Sequence, residues 1–146
     1  MSKFHDLFED IKELFINELN KIDSLRDLNV AVIGNNHLKE IYKVSKANEL
    51  TSYLSEDGID VIIQVNEEIF ETLEDRQKAY IIDEALAMLY VDSESGRLKI
   101  IQPDFSGFSL VMLKYGIEES VKTAEVIKAA FAQKKEQDAE NNVAEN

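Results

Sequence analysis

The sequence predicts a single α+β domain, a small mixed sheet of three to four strands packed by four to five helices. Three observations carry that prediction. The chain has 146 residues, 45% of them apolar and 31% charged, which is the size and balance of one globular core and not of a disordered chain. Two runs, LNVAVI at 28–33 and IDVIIQV at 59–65, are β-branched and bounded by turn residues, as strands are. The remaining apolar residues recur mostly at three- and four-residue spacing, as on helices docked by one face.

Taken in order, residues 3–20 place Phe4, Leu7, Phe8, Ile11, Leu14, Phe15 and Leu19 on one helical stripe, with His5 off it as a solvated surface residue. The strand 28–33 runs into the turn-prone Gly34-Asn35-Asn36, and His37 follows as a polar turn residue. Residues 38–54 mix Ile41, Tyr42, Val44, Leu50 and Leu54 with lysines, a short strand or helix and then a helix near 46–55. Asp57-Gly58 turns the chain into 59–65, the most strongly β-prone run, which Asn66 ends. A short helical turn spans 67–73. Asp75 then opens a helix through Tyr90, with Ala79, Ile82, Ala85, Leu86 and Leu89 facing the core. Asp92-Ser93-Glu94-Ser95-Gly96 is a polar turn before a strand at 97–101 that stops at Pro103, the only proline. Asp104 caps a further helix to Tyr115, with Phe105, Phe108, Val111 and Met112 inward, and Gly116 ends it. A last helix carries Ile117, Val121, Ala124, Ile127, Ala130 and Phe131. Residues 1–133 thus make one domain, and 134–146, nearly free of branched apolar residues, read as a disordered acidic tail.

Composition excludes several functions. There is no cysteine, hence no disulfide framework, thiolate metal site or cysteine nucleophile. No stretch approaches the roughly 18–20 apolar residues of a membrane span, and the N-terminus has acids where a signal peptide has an apolar run, so the expected location is the cytoplasm of a host cell, with no membrane partner. The net charge of −13 repels phosphate, which argues against direct nucleic-acid binding and suits a basic groove on another protein. The two histidines lie far apart, and neither a nucleophile elbow nor a Gly-rich phosphate loop is present.

The run DVIIQVNEEIFETLEDRQKAYIIDEALAMLYVD, followed by GRLKIIQPDFSGFSLVMLKYG, resembles the putative phage metallopeptidase family, zincin-like domains related to SprT-type proteases. There a strand enters an asparagine, a turn with a leucine follows, and a helix carries the His-Glu-x-x-His zinc motif. Val65-Asn66, Phe70, Leu73 and the helix from Asp75 match that plan, and Asp104, Phe108, Tyr115 and Gly116 match its downstream segment. The resemblance therefore implies a zincin-like form of the α+β fold.

At the motif itself the sequence departs from the family. Glu84 holds the position of the general-base glutamate, but the histidine positions read Asp83 and Ala87. Zinc needs two imidazoles at i and i+4 on one helix face, with the glutamate activating a bound water. Alanine has no donor atom, and the later ligand position reads Pro103-Asp104. Even if Asp83, Glu84 and Asp104 converge, they form an oxygen-only cluster suited to Mg²⁺ or Ca²⁺.

The expectation is a non-catalytic phage or prophage protein, without cofactor, that binds and modulates or inhibits a host or phage protein, in part through an acidic surface. Its binding surface is expected around Asp83, Glu84, Ala87 and Asp104, together with the acidic face of the N-terminal helix. Two alternatives stand beside it: a divalent-metal-dependent hydrolase with Glu84 as base, and a DNA-mimic inhibitor of a nucleic-acid-binding or defence protein. The sequence leaves the partner's identity and the oligomeric state open.

Overall fold

Strand-forming residues flanked by helices at both ends assemble here into a mixed sheet lined on one face by a helical layer. The computed structural model describes residues 3–56, 58–101, 111 and 113–145. In chain order the described elements are β1 (Phe4–His5), α1 (Glu9–Asn20), a 3-10 turn (Asp23–Leu25), β2 (Val30–Asn35), β3 (Tyr42–Lys46), α2 (Glu49–Leu54) and β4 (Val61–Val65). They continue with α3 (Glu67–Glu71), α4 (Asp75–Ala87), β5 (Leu89–Val91), β6 (Leu98–Ile100) and α5 (Ile117–Glu145). The α+β class and mixed sheet are as predicted. Four strands run in the order β1-β2-β4-β3, and β5 with β6 forms a separate two-stranded ribbon.

The best strand of the sequence, β4, sits in the middle, parallel to β2 and antiparallel to β3. Alternation then sends Val61, Ile63 and Val65 to one face, where all three are fully buried. Val32 from β2 and Val44 from β3 lie in the same rows and complete the floor on which Ile81, Ile82, Ala85 and Leu86 of α4 belong to the same core. Phe15 of α1 and Phe70 of α3, both fully buried, meet with ring centroids 5.9 Å apart. Asn66, also fully buried, joins β4 to α3: its Oδ1 caps the helix by accepting from the Ile69 N–H, and its Nδ2 donates to the Leu38 carbonyl.

Several sequence expectations shift, each for a tertiary reason. The N-terminal helix begins at Glu9, because Phe4–His5 pairs with Asn35 and Gly34 as a strand. Only Leu7, Ile11 and Phe15 of the predicted stripe are buried, whereas Phe4, Phe8 and Leu14 are exposed. His5 is not a solvated surface residue: its Nε2 lies 3.3 Å from the buried Glu67 carboxylate, which also accepts the Phe8 N–H. Gly34 and Asn35, expected as a turn, are strand residues, and Gly34 admits the His5 ring where a Cβ would meet it at 2.3 Å. His37 is the exposed turn residue expected, its N–H bonded to Asn35 Oδ1.

The helix expected to reach Tyr90 stops at Ala87, because Leu89–Val91 pairs with β6 instead; tertiary pairing outweighs helix propensity. Gly116, at φ +89°, separates the helical residues 113–115 from α5. The predicted inward positions Phe105, Phe108 and Met112 lie outside the described residues. The tail expected to be disordered from 134 is instead helical through Glu145. Lys, Gln, Glu and Ala dominate it, good helix formers with no Gly or Pro. Its first residue is also anchored, since Lys134 donates to the Asn36 carbonyl and pairs with Glu68 at 3.0 Å. Among the described residues no helix is long and apolar enough to cross a membrane.

Candidate functional site

Helix α4 carries the residues that the motif analysis singled out. It is started by Glu74, whose N–H is held by the Gln77 side chain at 3.0 Å, and Asp75 lies in its first turn, where a negative charge suits the helix dipole. Successive helical residues lie about 100° apart, so Asp83 and Glu84 leave the helix in different directions. Their surroundings have almost nothing in common.

Asp83 turns toward the segment before α5. Its Oδ2 accepts the Tyr115 hydroxyl at 2.6 Å and the Lys114 ammonium at 2.8 Å. Burial first, and the Asp83 bond second, push the Tyr115 phenol well above its ordinary value; the same bond raises Lys114. Tyr115 is itself held by the edge of the Tyr80 ring at 5.4 Å and by the Arg76 guanidinium over its face. Arg76 also pairs with Glu119 at 3.7 Å. Asp83 is thus the hub of a network that ties the chain on either side of Gly116 to α4.

Glu84 turns toward β3. Its Oε1 accepts the Tyr42 hydroxyl at 2.7 Å. Burial first, and the nearby Glu84 charge second, raise the Tyr42 phenol far above its usual range. Tyr80 is raised too, chiefly by burial and further by Glu84, while a hydrogen bond donated by Ser120 at 3.1 Å opposes the shift. Glu84 and Met88 of α4 and the stretch Glu40, Ile41, Tyr42, Lys43 and Val44 line an open groove of about 430 Å³ between α4 and the edge of the sheet.

Ala87 does not share that groove. It lines a separate depression with Asp83, Leu86, Lys114 and residues of α1 and the 3-10 turn. Asp104 lies outside the described residues. The expected surface around Asp83, Glu84, Ala87 and Asp104 is therefore not one patch among the described residues: Asp83 and Ala87 share one side of α4, and Glu84 faces the other. The acidic face of α1 is exposed at Glu9, Asp10 and Glu13, as expected.

The zinc site that the family resemblance implies does not fit these residues. Asp83 is already bonded to a phenol and an ammonium, Ala87 has no donor, and Glu84 is bonded across the groove to Tyr42. Among the described residues no group of three His, Asp or Glu side chains is placed to hold a metal ion. Tyr42, Tyr80 and Tyr115, which organise both carboxylates, escaped the sequence reading as site residues. The alternation Tyr42-Lys43-Val44-Ser45-Lys46 was the available signal for the first, since it marks a strand with one buried face.

No curated protein and no solved structure matches the chain. The family model described as Putative phage metallopeptidase matches residues 5–131, a span from β1 through the first half of α5 that includes α4 and both carboxylates. The chain belongs to the putative phage metallopeptidase family.

Proposed function

We propose that this chain is a non-catalytic, phage- or prophage-encoded member of its family that works by binding a host or phage protein and modulating it. The observation that carries the reading is the commitment of Asp83, at the first motif position, to Tyr115 and Lys114. A ligand there would have to give up two charge-assisted or short hydrogen bonds before meeting a metal, and its i+4 partner Ala87 contributes nothing. The net charge of −13 supports a partner with a basic surface, for which it would speed association and impose salt dependence.

Elemental analysis of the chain purified without chelator tests the loss of chemistry. The expected result is well under one zinc per chain and a melting temperature unmoved by added zinc or chelator. About one transition-metal ion per chain, lost in Glu84→Ala, would overturn the reading in favour of a metal-dependent hydrolase. Capture of partners from host lysate at low salt and at roughly 1 M salt tests the acidic surface, because exposed charge pairs are screened at the higher value. A partner retained equally at both would remove charge from the account.

A further inference from the structure

Helix α2 is built inside out. It has six residues, and none of them is buried. Its polar pair, Thr51 and Ser52, is half-buried, whereas Leu50, Tyr53 and Leu54 are 65%, 83% and 72% exposed. Hydrophobic burial therefore does not hold this helix in place. Hydrogen bonds do: Asn48 Oδ1 accepts the Thr51 N–H at 2.7 Å, and Ser55 Oγ donates to the Ser52 carbonyl at 2.9 Å and accepts the Ile59 N–H at 2.8 Å. Three large apolar side chains at i, i+3 and i+4 are thus fixed in contact with water, the arrangement by which one helix packs a ridge against another.

Beside this ridge lies a depression of about 590 Å³, with Leu28, Tyr53, Ile59 and Leu98 in its lining. Its charged lining is Lys46, Glu49 and Asp60. Lys46 Nζ donates to the Leu98 carbonyl at 3.4 Å, and Asp60 accepts the Asn29 N–H at 2.9 Å. Glu49 and, just past the helix, Glu56 are exposed. From Ala47 to Asp60 the chain carries four acids, Glu49, Glu56, Asp57 and Asp60, and neither lysine nor arginine. The apolar ridge belongs to a stretch whose charge is all negative, with Lys46 the base at its edge.

Those two properties choose the occupant. A second copy would set like charges against each other across a two-fold axis, and three side chains fall short of the roughly 800 Å² per partner of a standard interface. An anionic lipid surface is repelled by the same acids. A helix with an apolar stripe and lysine or arginine on its flanks suits both the ridge and its acids.

We propose that the protein partner docks on α2 through a basic amphipathic helix. The apolar face of that helix packs on Leu50, Tyr53 and Leu54 and enters the depression, and its lysines or arginines face Glu49 and Glu56. This rests on the binding reading above and gives the partner a chemistry and a place.

The test uses the full chain labelled with ¹⁵N and three blocked helical peptides of about four turns, built of leucine and lysine, alanine and lysine, or leucine and glutamate. The leucine–lysine peptide is expected to shift the amides of residues 49–54 and to bind about tenfold tighter than the alanine–lysine peptide, a difference near 1.4 kcal/mol. The leucine–glutamate peptide should not bind at millimolar concentration. Leu50→Gln/Leu54→Gln removes the ridge and keeps every charge, so it should weaken the leucine–lysine peptide about tenfold and move the melting temperature by no more than about 2 °C. Shifts spread equally over α1 and the other acidic faces, unchanged affinity in that variant, or no shift at millimolar peptide would overturn the proposal. So would a melting temperature lowered by more than about 5 °C, because the leucines would then be packing residues, or a dimer lost in the variant, which would give the ridge to a second copy. Mass spectrometry of the recovered peptide keeps the two readings apart. A cleaved peptide with shifts at α2 would sink the non-catalytic function and leave the docking surface, whereas an intact peptide with shifts elsewhere would do the reverse.

Discussion

Asp83 and Glu84 are neighbours in sequence, share one helix and carry the same functional group, yet one is tied down and the other faces an open groove. Asp83 holds Tyr115 and Lys114 and through them the approach to α5. Glu84 holds one phenol from β3 and borders about 430 Å³ of open space. Both carboxylates have been recruited by tyrosines, but on the Asp83 side the bonds join one helix to the next, whereas on the Glu84 side they define the wall of a cleft. A motif position is therefore not a role. Asp83 is a structural hub that borders a depression shared with Ala87, whereas Glu84 holds a single phenol at the wall of a groove on the other side of the helix.

The largest expected effect comes from breaking the tied side. Asp83→Ala removes bonds to a cation and to a partly buried phenol, and hydrogen bonds to charged groups are worth about 1.5–3 kcal/mol. Thermal unfolding should show a melting temperature lower by roughly 5–10 °C. Tyr115→Phe, which leaves Lys114 in place, should cost about 1 kcal/mol. Lys114→Ala should cost less again, since that side chain is largely exposed and exposed ion pairs contribute little. A neutral Asp83→Ala would mean that the network does not hold α5 to α4 and that the contrast between the two carboxylates is only apparent.

How much of this was legible in the sequence follows the same division between local and long-range causes. β4 was legible because five β-branched residues among the seven between Gly58 and Asn66 need no context, and Asn66 could be read as its end, though not as the buried cap of α3. α4 was legible in its start, near Asp75, though its actual cap is Glu74, and illegible in its end, because Leu89–Val91 leaves the helix only to pair with β6. β1 was hidden inside a convincing helical stripe, since His5 becomes a strand residue only when Gly34 offers it a surface and Glu67 a partner. At the site, Ala87 could be read directly from its lack of a donor. The pairing of Asp83 with Tyr115 spans 32 residues and that of Glu84 with Tyr42 spans 42, and no local pattern encodes either.

Alkaline titration probes both sides at once. Tyr42, Tyr80 and Tyr115 all have phenols raised above the ordinary value of 10.0. A group whose folded pKa is raised keeps its proton more tightly in the native state. Its stabilising contribution is complete below pH 10 and declines as pH climbs from there toward the folded value. Denaturant midpoints should therefore be flat with respect to these groups at neutral pH and fall above about pH 10. The Tyr42→Phe/Tyr115→Phe double variant should lose much of that alkaline slope. An unchanged slope would assign the alkaline loss to lysines and remove the tyrosines from the energetics of both sites.

The smallest effect on stability, and the sharpest test of the contrast, belongs to Glu84→Gln. The amide carbonyl can still accept from the Tyr42 hydroxyl, so folding should change by no more than about 1 kcal/mol. The charge, however, is gone. Tyr42 is raised by burial first and by the Glu84 charge second, so ultraviolet titration of tyrosinate, read against Tyr42→Phe, should find its pKa lowered but still above 10.0. A fall all the way to the ordinary value would mean that the groove is wetter than its lining implies and that charge, not burial, governs the phenol. No fall at all would mean that the carboxylate does not meet Tyr42 in solution, and the groove would lose the wall that distinguishes Glu84 from Asp83.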